Sequence, residues 1–178
     1  NIFGFTIIDS VNYDDKMHAP FLQVTAGVSL ERINPSGASS NRNNWHSAAS
    51  TAGYGTPTSQ NSQYFELVPT TSDSIFSLPI QTFSPDGDGY NDFLTIQFKT
   101  DQPGYQATIN IYDAQGRLVR KLLDGAYLSN MDHLIWQGES DQNSAAALGI
   151  YVLDCKLLHS NGRTKHEKLT CVLAKKLD

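Results

Sequence analysis

Residues 149–163 read GIYVLDCKLLHSNGR, and this stretch decides the fold. Residues 150–158 are rich in aliphatic and β-branched side chains, a composition that favours a β-strand. The Asn161-Gly162 pair that follows is typical of a tight primed turn between antiparallel strands. A second apolar run at residues 169–174 completes the pattern, so the sequence predicts a β-hairpin near the end of the chain.

The same strand-like composition recurs along the rest of the chain, without a long helical period. The other predicted strands are residues 3–8, 21–26, 28–33, 63–68, 94–99, 107–112, 118–122 and 134–137. Turn residues at 113–116 separate two of them. Many short strands joined by turns favour β-sandwiches over a parallel sheet with helices. The predicted fold class is therefore all-β, with two immunoglobulin-like sandwich units in series.

Two changes of composition divide the chain. Residues 34–62 are rich in small polar side chains, which is long for a loop and predicts a functional segment or one wrapped on a surface. Residues 69–79 are rich in Thr and Ser and are predicted to be a linker between units at 1–68 and 80–178. The first unit contains about four strands where an immunoglobulin-like sandwich needs about seven, so it is predicted to be incomplete. A partner protein or the chain's own upstream region is expected to cover its open edges.

Composition and charge narrow the classes of function. Of the 178 residues, 39% are hydrophobic and 10% aromatic, which is typical of a globular protein. The net charge of -5 and the lack of a basic cluster argue against nucleic acid or an anionic membrane as partner. No apolar segment is long enough for a membrane-spanning helix. Asn1 leads directly into a strand-like run, as expected for a piece of a longer protein.

The clearest candidate for a binding site is the acidic, glycine-rich loop at residues 86–92. Asp86, Asp88 and Asp92 could direct carboxylate oxygens at one cation, with the Tyr90 carbonyl oxygen between them. Hard oxygen ligands of this kind suit Ca²⁺. These four residues are the predicted metal ligands, and Ca²⁺ is the predicted ion.

The loop is not an EF-hand, because Gln97 occupies the twelfth position where a bidentate Glu would stand. A calcium site here would need further ligands, for example Asp113, Asp141 or water. The alternative is a plain turn whose Asp side chains accept hydrogen bonds from their own backbone. A different metal is the third possibility.

Two short motifs invite a catalytic interpretation, and neither supports one. Glu31 and Arg32 are adjacent on a predicted strand and therefore face opposite ways, which favours an ion pair or a loop clamp. The run Trp45-His46-Ser47 lacks the strand-turn-helix elbow that exposes a catalytic serine. We expect Trp45 to anchor the long loop and His46 to be hydrogen-bonded nearby. The sequence predicts a protein that is not an enzyme.

The remaining histidines and the cysteines are predicted to have no metal role. The histidines lack metal-ligand spacing and are predicted to face solvent, although His159 and His166 could meet across the last hairpin. They are His18, His133, His159 and His166. Cys155 and Cys171 fall on the core face of that hairpin, with Cys155 opposite about Lys168. That diagonal arrangement favours free buried thiols over a disulfide.

Three passages in the first 65 residues resemble the closing half of a bacterial lamin-tail domain. They are IDSVNY at 8–13, GVSLERI at 27–33 and NNWHSA at 43–48. The resemblance implies an immunoglobulin-like fold of the kind appended to exported proteins and to some extracellular nucleases.

A second resemblance spans about residues 80–177. The passage FSPDGDGYND at 83–92, IYD at 111–113, GRLV at 116–119, WQG at 136–138 and GIYV at 149–152 are similar to the C-terminal immunoglobulin-like modules of Bacteroidota surface proteins. These are the FlgD-type and gliding-associated tails, some of which are sorting signals for type IX secretion. Gln137 departs from the usual Trp-Asp-Gly. The resemblance implies export to the cell surface, the outer membrane, the medium or the periplasm, with a binding or sorting role.

The sequence thus predicts a non-catalytic structural or interaction module at the tail of an exported protein, with Ca²⁺ as the predicted stabilising ion. One alternative is a C-terminal sorting domain for type IX secretion. Another is an accessory domain of an extracellular hydrolase or nuclease whose chemistry lies upstream.

Overall fold

The computed structural model describes residues 9–67 and 74–175, and this part of the chain is built almost entirely from β-strands. The strands are β1 (Leu30–Arg32), β2 (Trp45–Ser47), β3 (Phe76–Ser77), β4 (Thr82–Phe83), β5 (Leu94–Lys99), β6 (Tyr105–Asp113), β7 (Leu118–Tyr127), β8 (Met131–Trp136), β9 (Gly149–His159) and β10 (Thr164–Leu173). Three short 3-10 helices lie at Asp15–Met17, Arg42–Asn44 and Ser50–Ala52. None of the helices in these ranges is long and apolar enough to span a membrane.

The eight strands after residue 74 form a two-sheet sandwich. One sheet has the order β4-β10-β9-β6-β7 and the other β3-β5-β8. Neighbouring strands are antiparallel except for β4 and β10, which run parallel. The chain crosses from one sheet to the other between β3 and β4, β4 and β5, β5 and β6, β7 and β8, and β8 and β9. The predicted all-β, immunoglobulin-like sandwich is confirmed.

Alternation along the strands places every second side chain in the core between the sheets. In β6 the buried positions are Tyr105, Ala107, Ile109 and Ile111. Trp136 is completely buried among them, with its ring centroid 5.2 Å from that of Phe83. Its indole N–H donates to the Glu139 carbonyl oxygen at 2.9 Å, so the polar atom of this large side chain is also satisfied.

The turn of the last hairpin differs from the predicted primed turn. The N–H of His159 donates to the Arg163 carbonyl oxygen at 2.8 Å, which leaves a three-residue loop. Gly162 has φ +87° while Asn161 keeps a negative φ, the arrangement of an ordinary turn followed by a glycine bulge. The primed-turn prediction is wrong, and the longer loop shifts the expected register by one residue.

Because of that shift, Cys155 lies opposite Glu167 instead of Lys168, and Cys171 lies opposite Tyr151. Both cysteines are buried and free, as predicted. Burial raises the pKa of each thiol to about 12, so neither is ionised near neutral pH.

The predicted strands of the first 68 residues are confirmed only in part. Strand β1 lies within the predicted 28–33. At 21–26 the strand prediction is wrong, because turn bonds such as Leu22 N–H to the Ala19 carbonyl oxygen, 3.1 Å, use the backbone locally. Residues 63–67 also form no strand, and at their start the Tyr64 N–H donates to the Asn61 carbonyl oxygen in a turn. Residues 3–8 and residue 68 lie outside the described ranges.

The described part of the N-terminal segment, residues 9–67, lies against the outer face of the three-stranded sheet. Side chains on that face would meet water in an isolated sandwich, yet Gln97 is 4% exposed and His133 1%. Asn41 Nδ2 donates to Asp132 at 3.2 Å, and the His46 ring lies 4.9 Å from the Phe93 ring. The segment therefore forms a third layer over the sandwich.

The sandwich begins within the predicted linker. Phe76 in β3 is 1% exposed and belongs to the core. The Glu167 carboxylate on β10 accepts hydrogen bonds from the Ile75 and Phe76 N–H groups at 2.9 and 3.0 Å, which ties β3 to the opposite sheet. The described part of the linker thus contains a strand, while the division of the chain into two domains stays a prediction.

Candidate functional site

The Asp loop, residues 86–92, connects β4 to β5. Its three carboxylates, those of Asp86, Asp88 and Asp92, each place an oxygen within 4.8 Å of the others. Tyr90 at its tip is 73% exposed. The structure therefore brings together the three predicted carboxylates, whose oxygens are of the chemical type that Ca²⁺ prefers.

The Asp92 carboxylate holds this loop together through hydrogen bonds. It is 2% exposed, and its carboxylate accepts hydrogen bonds from Gly87 N–H and Gly89 N–H, both at 2.8 Å, and from Gln63 Nε2 at 2.7 Å. The Asp88 carboxylate accepts from Tyr90 N–H at 2.8 Å. These are the bonds that the plain-turn alternative predicts.

The two additional ligands suggested by the sequence are engaged elsewhere. Asp113 accepts from Arg117 Nε at 2.6 Å across the β6–β7 turn. Asp141 accepts from the Lys121 N–H at 3.0 Å on the edge of β7. Neither belongs to the cluster of carboxylates in the Asp loop.

Close packing explains one of the loop's glycines. Gly89 has φ +91°, a backbone conformation that side chains other than glycine rarely adopt. A Cβ at this position would lie 2.8 Å from the Ala49 Cβ. Position 89 therefore requires glycine both for its conformation and for the approach of the N-terminal segment.

The Asp loop is also the junction between the N-terminal segment and the sandwich. The Gly87 carbonyl oxygen accepts from both the N–H and the hydroxyl of Ser50 at 2.8 Å. The Thr51 hydroxyl donates to the Asp88 carbonyl oxygen, and Gln63 reaches Asp92 from the same side. The Ser-rich stretch at 34–62 therefore wraps on a surface, which was one of the two expectations.

The cavities beside the Asp loop are small. One of about 150 Å³ is lined by Gln63, Phe65 and Thr95, among others, and one of about 90 Å³ lies between His46 and Gln137. Pockets that hold a typical small-molecule ligand measure about 300–1,000 Å³. These spaces suit water or an ion better than an organic substrate.

Glu31 and Arg32 lie on opposite faces of β1, as predicted. Glu31 is 4% exposed and accepts from the N–H and the hydroxyl of Ser62, both at 2.7 Å, and from the Thr56 hydroxyl. Arg32 lies over the Trp45 ring at 5.8 Å. The loop-clamp interpretation of Glu31 is confirmed.

The Trp45-His46-Ser47 run is structural too. Trp45 Nε1 donates to the Ser39 carbonyl oxygen at 2.9 Å, which anchors the long loop as predicted. The Ser47 hydroxyl is buried, accepts from Ala19 N–H at 2.9 Å and lies 3.0 Å from His18 Nδ1. This buried Ser–His contact ties two parts of the N-terminal segment together and is closed to a substrate.

The prediction that the four other histidines face solvent is wrong for three of them. His18, His133 and His159 are 5%, 1% and 8% exposed, and only His166 is exposed. His159 and His166 do not meet. His159 lies on the core side, with its ring 4.8 Å from that of Tyr105, whereas His166 lies on the outer side and contacts Asp154 at 2.5 Å. Opposite faces of one sheet separate them.

Burial of His46 predicts a pH dependence of stability. The imidazole is 2% exposed, and burial lowers its pKa below the usual 6.5. The unfolded chain then binds more protons than the folded one, so the free energy of unfolding is highest above about pH 6.5 and declines as the pH falls below it. Urea unfolding at pH 7.5 and pH 5.5 should show this decline, and His46→Gln should reduce it. An equal decline in the parent protein and in His46→Gln would contradict the assignment of this pH dependence to His46.

The described residues after 74 thus form an immunoglobulin-like β-sandwich with an acidic turn between β4 and β5. The family model described as "CHU_C Type IX secretion signal domain" matches residues 77–171. The chain belongs to this family of type IX secretion signal domains, and the family implies an exported protein.

Among curated proteins, none matches the chain. Three solved structures are similar to it. They are FlgD from P. aeruginosa (16% identity, 46% of this chain and 62% of that chain, TM-score 0.38), CopC from Methylosinus trichosporium OB3b (20%, 49% and 79%, 0.33) and PorZ from Porphyromonas gingivalis (17%, 56% and 11%, 0.37). The chain thus spans less than two thirds of FlgD and a small part of PorZ, which is described as a surface component of the type IX secretion system.

Proposed function

We propose that the chain is the C-terminal sorting region of an exported protein, and that its sandwich is read by the type IX secretion machinery. The observation that supports this most directly is the extent of the family match. Residues 77–171 include all of β4 to β9 and nearly all of β10. The sorting alternative is therefore better supported than a purely structural module.

The sandwich acts without catalysis in this proposal. Glu31, His46 and Ser47 are buried and hydrogen-bonded within the protein, and the cavities at the Asp loop are too small for a typical organic substrate. Any hydrolase or nuclease chemistry in the parent protein would belong to a different part of it.

A reporter fusion tests the proposed function. A fluorescent protein with an inner-membrane export signal is joined to residues 1–178 and expressed in a bacterium that has type IX secretion. We expect the reporter at the cell surface or in the medium. The matched control ends at residue 67, lacks the sandwich, and should stay in the periplasm. Equal export of both fusions would refute the proposal.

For the N-terminal segment we propose a supporting role. Among residues 9–67, strands β1 and β2 form a sheet of two short strands, and the resemblance of this region to a lamin-tail domain stays a prediction. We infer that a protein partner or the parent's own upstream region pairs with this small sheet. An upstream fragment that raises the melting temperature of residues 1–178 when added in trans would support this inference, and one with no effect would count against it.

We also propose that Ca²⁺ binds the Asp loop, held by Asp86, Asp88 and Asp92 with the Tyr90 carbonyl oxygen. The three carboxylates fit the ion's preference for oxygen, and its charge would offset their mutual repulsion. Millimolar Ca²⁺ should raise the melting temperature by a few degrees, because a ligand that binds only the folded state stabilises it. Asp88→Asn should abolish the rise. The same melting temperature in Ca²⁺ and in chelator would leave the plain turn as the explanation.

A further inference from the structure

The two outer faces of the sandwich differ in how they are covered. The face of the three-stranded sheet lies beneath the N-terminal segment, whereas the face of the five-stranded sheet keeps its large side chains in solvent. On that second face Ile150 is 56% exposed, Leu158 48% and Tyr127 72%. Strand register places Leu158 and Tyr127 in one row at one end, since both lie opposite Gln106, and Ile150 near the other end.

The middle of this face is cationic. Lys156 pairs with His166 across β9 and β10, and Lys168 pairs with Asp154. The Asp154 carboxylate is 10% exposed, and it contacts His166 Nε2 at 2.5 Å and Lys156 Nζ at 3.4 Å. These contacts hold the pKa of Asp154 below its usual value, although burial opposes them. One buried carboxylate thus contacts a lysine and a histidine and has a second lysine as its cross-strand neighbour, in a chain whose net charge is -5.

Two large clefts open on the same sheet. One of about 490 Å³ is lined by Lys156, Lys165 and His166, together with Thr108 and Thr164. Its ammonium, imidazole and hydroxyl groups suit a carboxylate. The other, of about 610 Å³, lies at the opposite end and is lined by polar residues, among them Asp113 and Arg117, and by the exposed side chains of Leu118, Leu148 and Ile150. Those three side chains offer contacts for an apolar anchor, and buried anchors of this kind carry much of the energy of an interface.

We propose that the outer face of the five-stranded sheet is the docking surface for a protein partner that presents acidic side chains beside an apolar anchor. Charge complementarity indicates the kind of partner, because a cationic band and a cationic cleft beside exposed apolar side chains favour an acidic protein surface over a basic or neutral one. The inference rests on the proposed function, in which this partner is a component of the export machinery.

Charge reversal in the full-length reporter fusion tests the inference. Lys156→Glu with Lys168→Glu should lower export at least tenfold, while Lys156→Arg with Lys168→Arg should leave it near the parent level. The matched control is Lys16→Glu with Lys99→Glu, which reverses two exposed charges away from this face. Export of the first pair at the parent level would overturn the inference and leave the proposed function standing. If the parent fusion stays inside the cell, both the inference and the proposed function are wrong.

Thermal unfolding of purified residues 1–178 checks that the variants fold. If the Glu pair melts well below the parent, Ile150→Ser and Leu158→Ser replace it, since both change exposed side chains. Loss of export in these variants supports the docking surface, and normal export contradicts it. Binding to phosphatidylglycerol vesicles that is lost in the Glu pair would also overturn the inference, because it would assign the face to lipid.

Discussion

Trp136→Ala is expected to lower the free energy of unfolding by about 3–5 kcal/mol, the range found when large aromatic side chains are removed from a core. Trp136 is completely buried, and its ring packs between those of Phe83 and Tyr151, with centroid distances of 5.2 and 5.0 Å. The substitution leaves a cavity at the centre of the sandwich and leaves the Glu139 carbonyl oxygen without its donor. Urea unfolding followed by circular dichroism measures the loss.

Trp136→Phe is the matched control for this prediction. It keeps an aromatic ring in the core but removes the indole N–H, so we expect a smaller loss than for alanine. The alanine variant of the reporter fusion should also be exported less, because a larger fraction of its sandwich is unfolded and presents no surface to the export machinery. A loss of unfolding free energy below about 1 kcal/mol for Trp136→Ala would be inconsistent with the core described here.

Asp92→Asn is expected to cost roughly 2–3 kcal/mol in the absence of Ca²⁺, which is typical when a buried carboxylate that accepts several hydrogen bonds is lost. The carboxylate accepts from Gly87 N–H, Gly89 N–H and Gln63 Nε2. An amide can replace only part of this set, because its NH₂ group would face a donor. Chemical unfolding in the presence of a chelator measures the effect.

Asp88→Asn is the control for Asp92, since its side chain bonds the exposed Tyr90 N–H and an amide oxygen can still accept that bond. We expect little change in the absence of Ca²⁺. The comparison separates the two roles of the loop, because the turn depends on Asp92 whereas the proposed metal site depends on both. If both variants lose the same free energy of unfolding in chelator, the turn does not depend on Asp92 more than on Asp88.

Strands of the sandwich could be predicted because the alternation of inward-facing and outward-facing side chains along a strand is visible in the sequence. Strand β5 has the predicted bounds 94–99, and β6 and β9 contain the predicted cores 107–112 and 150–158. The length of the loop between β9 and β10 was harder to predict. Asn161-Gly162 is compatible with both a two-residue and a three-residue turn, and only the backbone conformation of the loop decides the register of β10.

The surroundings of the site were harder to predict, because they depend on contacts between distant segments. The cluster of Asp86, Asp88 and Asp92 could be read from local spacing. Its contacts with Ser50 and Gln63 could not, since these residues lie in a polar stretch without periodicity. His133 was predicted to face solvent because its spacing matches no metal-ligand motif, and the N-terminal layer is what buries it.

The most direct test of the sorting role compares one reporter fusion in two strains. The fusion carries residues 1–178, and the strains are isogenic except that one lacks a functional type IX secretion apparatus. The fraction of fluorescence outside the outer membrane is the measurement. A sorting domain predicts that most of the reporter is outside in the first strain and that nearly all of it is retained in the periplasm in the second. The same distribution in both strains would contradict the assignment.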